Sequence, residues 1–407
     1  MIAHVDADSF FASVLVRKDP RLRGKPLLAL GMGGGCVIAA SYEAKALGVK
    51  TGMPLAEALT FAPHAVQRSS DFNEAGLASQ QIESILQTHC PLVEQMSVDE
   101  WYLDLATRVG GVPKNPSEVA RSMQKDVLDQ TGLSVSVGVG PSKLLAKMSG
   151  EYRKPSGICV TGTGTPDALD IETFLRDRPA AAIPGIGRRR SIHCEAEGWH
   201  TAWDIARAEN HRLTKHFGRP GTDLKRELLG ECLSAVSVEY APPKSVSRAR
   251  SFKPSDDTER VWAHLLRHTE YTVLKMRRDA LGCKGLSVWL RDGEYEYESS
   301  HVSLPKLMDT EENLRPYVRR ALAKIIRKRR RYTQVGLALW RLEPMTAAQF
   351  SLFEDPHRLI EAESVQKTLD SIHERFGRNA ITHGSALPVK TGTKRSFEVP
   401  IYEEGPR

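Results

Sequence analysis

No stretch of the 407-residue sequence approaches the ~18 consecutive apolar residues of a membrane-spanning helix. No secretory leader is expected either. Met1-Ile2-Ala3-His4-Val5-Asp6 reaches an acid too early for one, which predicts a cytoplasmic protein with no membrane association. Cysteine is scarce and scattered: Cys36, Cys90, Cys159, Cys194, Cys232 and Cys283 lie 35 to 69 residues apart. No pair has zinc-ligand or redox-motif spacing, so reduced, buried thiols are expected. Internal repeats and low-complexity tracts are absent as well, which sets aside repeat architectures. What is present is ordinary for a soluble globular protein, with 41% hydrophobic and 26% charged residues in a length suited to two to four domains.

The net charge of +7 says little until it is placed along the chain. Residues 241–345 hold 22 Lys and Arg against 13 Asp and Glu, a net of +9, whereas the other 302 residues net −2. The block includes Arg327-Lys328-Arg329-Arg330-Arg331. A solvated helix end accounts for a basic run, but an excess concentrated in one segment is what phosphate neutralisation requires.

Ile2 to Val5 reads as a short strand closed by a turn at Asp6-Ala7-Asp8, and mixed helix and strand continue to about residue 165. Residues 97–105 and 133–139 alternate like strands. From 166 to 230 the pattern is helical and contains Ile183-Pro184-Gly185-Ile186-Gly187; residues 232–243 read as a linker. From Lys244 the expected order is strand (244–252), helix (257–280), strands (285–291 and 295–303), helix (310–328) and strand (333–342). Such a βαββαβ succession folds most simply as a sheet with both helices on one face. Leu314, Val318, Leu322 and Ile325 give the second helix its apolar stripe.

Three acids stand at strand ends: Asp6, Asp99 and Glu100. If those strands are neighbours, the carboxylates converge on one edge. Hard oxygen ligands so placed favour Mg²⁺, and two such ions stabilise the attacking and leaving oxygens of a phosphoryl displacement. Turn and capping roles account equally well for each acid taken alone.

Asp6-Ala7-Asp8-Ser9-Phe10-Phe11, Ser41-Tyr42-Glu43-Ala44-Lys45, Gly48-Val49-Lys50-Thr51-Gly52-Met53-Pro54, Ser97-Val98-Asp99-Glu100, Gly138-Val139-Gly140-Pro141-Ser142-Lys143-Leu144-Leu145-Ala146-Lys147 and Lys154-Pro155-Ser156-Gly157-Ile158 together resemble the Y-family translesion DNA polymerases, the bacterial DinB branch above all. The resemblance implies an α+β right-hand polymerase: a ferredoxin-like palm (1–11 and 73–165), small fingers (12–72), a helix-hairpin-helix thumb (166–231), the linker (232–243), a βαββαβ little finger (244–345) and a tail (346–407). It implies template-directed, error-prone addition of dNTPs to a primer 3′ end in DNA damage tolerance, with two Mg²⁺ ions for which Mn²⁺ can substitute. Asp6, Asp99 and Glu100 would be the catalytic and metal-binding acids, with the Ala7 carbonyl assisting and Asp8 outside the ligand set. Phe11 would be the steric gate that rejects a 2′-hydroxyl. Tyr42, Lys45 and Lys154 would grip the triphosphate, although Lys45 stands where the family usually has arginine, exchanging a bidentate contact for a point charge. Leu15 likewise replaces a usual glutamate.

The same resemblance makes Gly185, Gly187 and Arg188 a thumb hairpin that offers backbone N–H groups to a phosphate, with Arg189 and Arg190 adding charge. Arg248 and Arg250, with Ser245, Ser247 and Lys253, would meet the primer-template backbone from the little finger. Gln349, Phe350, Leu352 and Phe353 are similar to the short peptide that docks bacterial polymerases on the sliding clamp, with Phe350 in place of leucine. The expected partners are primer-template DNA, dNTPs and the clamp, and the protein is expected to be a monomer. Two other classes stay open: a catalytically silent scaffold that binds DNA and clamp, and a nucleotide cyclase, which shares a palm-like sheet with paired acids.

Overall fold

The computed structural model describes residues 1–31, 34–239, 241–347, 356–377, 380–381 and 384, with only the backbone of 356–362. It divides into two compact units, the first built on Met1–Glu239 and the second beginning at Tyr240.

The first unit runs β1 (Ile2–Ala7), α1 (Phe10–Lys18), β2 (Leu27–Leu30), β3 (Val37–Ala40), α2 (Tyr42–Ala46), α3 (Leu55–Phe61), β4 (Val66–Ser69), α4 (Phe72–His89), β5 (Val93–Gln95), β6 (Glu100–Asp104), α5 (Pro116–Thr131), β7 (Val135–Gly140), α6 (Lys143–Tyr152) and β8 (Ile158–Val160). Five small helices follow: α7 (Ile171–Arg176), α8 (Arg188–Ala196), α9 (Ala202–Arg207), α10 (Asn210–Phe217) and α11 (Arg219–Leu228). The main sheet has the order β5-β6-β1-β7-β8, and a smaller one the order β3-β2-β4.

Strand alternation divides the faces of β1. Ala3, Val5 and Ala7 enter an apolar core with Ile82, Leu86, Trp101 and Met123, whereas His4 and Asp6 face the other way, toward α6. That helix lies very close on the sheet because glycines line the contact. A β-carbon at Gly138 would come within 2.1 Å of both the Ala146 carbonyl oxygen and the Gly150 nitrogen. Only a residue without a side chain admits this approach.

Asp6 and Ala7 belong to the strand, where the sequence had suggested a turn. Asp6 pairs in register with Glu100 on β6 and Ser136 on β7, and the chain turns at Asp8 and Ser9. The linker is partly docked: Val236 is buried with Ile2, Tyr102 and Ala146, and the Ser237 N–H donates to Glu94.

The second unit has the expected βαββαβ order: β9 (Ser245–Ser255), α12 (Thr258–Arg278), β10 (Leu281–Asp292), β11 (Tyr297–Met308), α13 (Glu311–Ile325) and β12 (Tyr332–Pro344). Its sheet order is β11-β10-β12-β9, all antiparallel. Helices α12 and α13 share one face, where Leu265, Val273, Leu286, Leu314, Val318 and Leu337 form the core. Helix α14 (Pro356–Phe376) follows and meets this unit through Asp370, which accepts from Arg277 at 2.8 Å.

Candidate active site

The β1–β6 register sets Asp6 beside Glu100 on one face of the sheet, and His4 joins them because it lies two residues before Asp6. One ligand atom from each of His4, Asp6 and Glu100 falls within 4.8 Å of the others. Among the described residues this is the one cluster of three or more His, Cys, Asp or Glu side chains with metal-holding geometry.

Helix α6 covers the cluster with charge of the opposite sign. Lys147 Nζ donates to Glu100 Oε1 at 2.5 Å. Beyond the end of the helix, Lys154 Nζ lies 2.6 Å from Asp6 Oδ1 and 2.6 Å from Glu151 Oε1. His4 Nε2 faces Glu100 Oε2 at 3.9 Å.

These neighbours push the two carboxyls in opposite directions. Burial raises Asp6 above the usual carboxylate range, with Lys154 opposing it. His4 and Lys147 hold Glu100 down to about 2 against its own burial. Burial lowers His4, so the imidazole is neutral and able to donate a lone pair. Burial pulls Lys154 down as well, but Asp6 and Glu151 outweigh it and the net shift is upward. A buried Asp6 and a partly buried, ionised Glu100 offer adjacent carboxylate oxygens, and a bound divalent cation would favour the ionised form of Asp6 as well: the donors fit a hard cation.

Asp99 is not part of the cluster. Its carboxylate accepts from Ser97 Oγ at 2.5 Å, while its carbonyl accepts from the Ala7 N–H at 2.9 Å. The backbone is thus fixed beside β1, but the side chain is turned toward its own loop. Asp8 is occupied on both oxygens. Oδ1 accepts from Ser136 Oγ at 2.8 Å and Tyr42 Oη at 3.3 Å, and Oδ2 from the Ser156 N–H at 2.9 Å. It is 1% exposed and ties three segments together.

Tyr42 and Lys45 sit on the short α2, whose N-cap Ser41 accepts from the Ala44 N–H. Lys45 Nζ lies 4.4 Å from the Tyr42 ring centre and donates to Ser9 Oγ at 2.8 Å. Its ammonium is pulled below the usual lysine value by burial and by the like charge of Lys154. Two lysines that repel each other thus stand next to the carboxylates. On α1, Phe10 is a core residue at 2% exposure, whereas Phe11 is half-buried and meets Phe10 and Phe72 edge to face.

The hairpin glycines lie before α8, with Gly185 at φ +90° and Gly187 as the helix N-cap. Arg188 and Arg189 are exposed, and Arg190 donates back to the Gly185 carbonyl. In the second unit Arg250 is exposed on β9, and the Arg248 guanidinium lies 3.9 Å from the Tyr271 ring centre. Part of the basic run is neutralised internally: Arg330 pairs with Asp292 and Glu298, and Arg327 with Glu298. Gln349, Phe350, Leu352 and Phe353 lie outside the described residues.

Sequence reasoning missed His4, Lys147 and Glu151. The signals were available: His4 shares a strand face with Asp6 by the two-residue period, and Lys147 and Glu151 share a helix face by the four-residue spacing. What the sequence did not disclose was that α6 lies over that strand.

A family described as impB/mucB/samB matches residues 5–151, and the C-terminal domain of the same family matches 243–352. A DNA polymerase IV of Methanoculleus marisnigri is 32% identical over 321 residues, covering 77% of this chain and 87% of its own. Another, of Moorella thermoacetica, is 31% identical over 393 residues, 94% of this chain and 95% of its own. Among solved structures, the Y-family DNA polymerase chimera Dbh-Dpo4(243-245)-Dbh is 26% identical with a TM-score of 0.72, and DinB from Sulfolobus solfataricus is 26% identical with a TM-score of 0.55. Each covers 84% of this chain and 99% of its own. With a two-part family match over most of its length and relatives this similar end to end, the chain belongs to the Y-family DNA polymerases of the DinB type and is a DNA-directed DNA polymerase.

Proposed function

We propose that the protein extends a primer 3′ end with dNTPs on damaged DNA templates, using Asp6, Glu100 and Asp99 as its catalytic acids. The observation that carries this is the placement of Asp6 and Glu100 side by side on one sheet face, next to the mutually repelling Lys45 and Lys154. Asp6 and Glu100 would hold divalent metal, taken to be two Mg²⁺ ions with Mn²⁺ as a substitute, and Asp99 would join them by rotating its carboxylate away from Ser97. Bound metal supplies Lewis-acid stabilisation of the attacking and leaving oxygens. Lys45 and Lys154 orient the triphosphate and offset the charge that builds on the leaving pyrophosphate; a bound polyanion also relieves their repulsion. Tyr42 gives this grip a fixed wall, since its hydroxyl is anchored on Asp8.

In this reading the main sheet with α4–α6 is the palm (1–11 and 73–165), the small sheet region the fingers (12–72), the helices of 166–231 the thumb, and the second unit's sheet the little finger (244–345). Phe11, the partly exposed member of the phenylalanine pair, is the sugar gate. Phe11→Ala is expected to raise ribonucleotide incorporation about 10- to 100-fold, the equivalent of relieving one overpacked contact. Competition of rNTPs with dNTPs in primer extension measures it, and unchanged sugar selectivity removes Phe11 from the role.

The Gly185–Gly187 hairpin with Arg188, and Arg248 with Arg250, bind DNA through its phosphates. Binding should therefore weaken steeply with salt, at about 0.9 log unit per log unit of salt for each phosphate neutralised. An anisotropy titration across salt concentrations checks this, and a salt-independent affinity defeats it. Residues 349–353 are proposed to dock in the pocket of a sliding clamp. Deleting them should abolish stimulation of synthesis by the clamp while leaving clamp-free synthesis intact; full retained stimulation ends that proposal. The protein is proposed to act in the cytoplasm as a monomer; no helix among the described residues is long and apolar enough to cross a membrane.

A further inference from the structure

The second acid of Asp6-Ala7-Asp8 has no part in the chemistry proposed above, yet it is fully buried. A carboxylate is costly to bury unless hydrogen bonds satisfy it. Here the donors come from three separate segments: Ser136 on β7, Tyr42 on α2, and the Ser156 N–H in the turn between α6 and β8. A second layer lies behind the first. Ser136 Oγ, itself fully buried, accepts from the Gly157 N–H at 3.3 Å. Two successive backbone N–H groups of the turn therefore end on Asp8, one directly and one through Ser136.

The tied segments are the ones that carry the cations. Lys154 stands two residues before Ser156 in the turn, and Lys45 stands on the same short helix as Tyr42. Burial, and after it the Asp8 charge, push the Tyr42 hydroxyl up, so it remains a donor. The backbone supplies an independent sign of constraint. Ser9 and Ser156 both hold the left-handed region, at φ +46° and +52°. Residues other than glycine stay there only where their surroundings over-determine them, which is typical of functional sites. Ser9 receives the Lys45 ammonium, and Ser156 donates to Asp8.

We propose that Asp8, together with Ser136, is a positioning residue for the incoming nucleotide. It fixes the span between the Lys45 and Lys154 sides of the triphosphate grip before the nucleotide arrives. The proposal rests on the polymerase reading, which makes those lysines the grip. Two ammonium groups that repel each other would separate if the segments carrying them were free. Holding them apart by a set distance in advance removes that ordering cost from the binding step. Both Asp8 oxygens are engaged by these donors, so the residue acts on the grip and not as a metal ligand. A defect at Asp8 or Ser136 therefore weakens nucleotide binding, whereas a defect at Asp6 or Glu100 slows bond formation.

Single-turnover primer extension by the full chain across dNTP concentrations separates the half-saturating concentration from the maximum rate. Ser136→Ala removes the donor to Asp8 and the acceptor for Gly157, and leaves intact every group assigned to the substrate. It is expected to raise the half-saturating dNTP concentration about 10-fold, the equivalent of one or two net hydrogen bonds. The maximum rate should stay within about twofold. Asp8→Asn should show the same split, and the double variant little more than the larger single effect, because both act through one link. Added pyrophosphate should inhibit the variants less than the unaltered protein, since the grip is on phosphates. Ser136→Ala carries the test if Asp8→Asn fails to fold. An unchanged half-saturating concentration, a loss confined to the maximum rate, fully additive effects, or unchanged pyrophosphate inhibition would each overturn the proposal. Failure of the unaltered protein to extend any primer would instead defeat the polymerase reading.

Discussion

Asp6→Asn and Glu100→Gln are each expected to slow nucleotide addition by about 10³-fold or more, ~4 kcal/mol of barrier; Asp6→Asn should do so with little loss of thermal stability, whereas Glu100→Gln also gives up a carboxylate that His4 and Lys147 hold ionised and should lower stability at neutral pH. Both substitutions keep side-chain volume and remove charge. Asp6→Asn leaves Lys154 with Glu151 as its partner, so no buried cation is orphaned. The native charge at Asp6 is itself unfavourable to the fold. Burial raises its folded pKa above the unfolded value, so its contribution falls as pH rises through that interval, and the amide is neutral or slightly stabilising at pH 7. Asp8→Asn is expected to behave in the opposite way. Asp8 accepts three hydrogen bonds, and an amide can reproduce only some of them. A loss of about 2 kcal/mol of stability should accompany a smaller effect on rate. Single-turnover extension and denaturant melts of all three variants check the contrast. Equal losses of rate and stability throughout would mean that the acids are structural.

Gly138→Ala should destabilise the first unit by about 3 kcal/mol and abolish synthesis with it. The added methyl would sit 2.1 Å from two backbone atoms of α6, and backbone cannot rotate aside as a side chain does. The helix must then lift from the sheet, carrying Lys147 away from Glu100. Gly35→Ala is the matched control, because a β-carbon there meets nothing within 4 Å. A shifted urea midpoint for Gly138→Ala beside an unchanged one for Gly35→Ala is the expected result. Two unchanged midpoints would show that α6 is not held to β7 in this way.

Much of this was legible in advance because it rests on periodicity. The βαββαβ order from Lys244 follows from strand and helix periods that tertiary contacts did not override, and the strands proved longer than their patterns because pairing extends past the alternating core. Asp6 and Glu100 were recognisable as partners once their strands were taken as neighbours. The orientation of Asp99 was not, because a loop side chain one residue before a strand answers to its nearest donor, here Ser97. Nor could the sequence tell that the second acid of Asp6-Ala7-Asp8 serves as a structural acceptor: its partners Ser136 and Ser156 lie more than a hundred residues away. Charge counting overstated the basic run, since Asp292 and Glu298 reach Arg330 across the sheet.

The central claim is that this chain copies a DNA template with its own acids. Primer extension on four templates differing only in the first unpaired base, with Mg²⁺ and all four dNTPs beside an Asp99→Ala control, tests it most directly. The account predicts that the unaltered protein adds the complementary nucleotide to each template and that the control adds none. No extension by the unaltered protein, as a silent scaffold or a nucleotide cyclase would give, would contradict it.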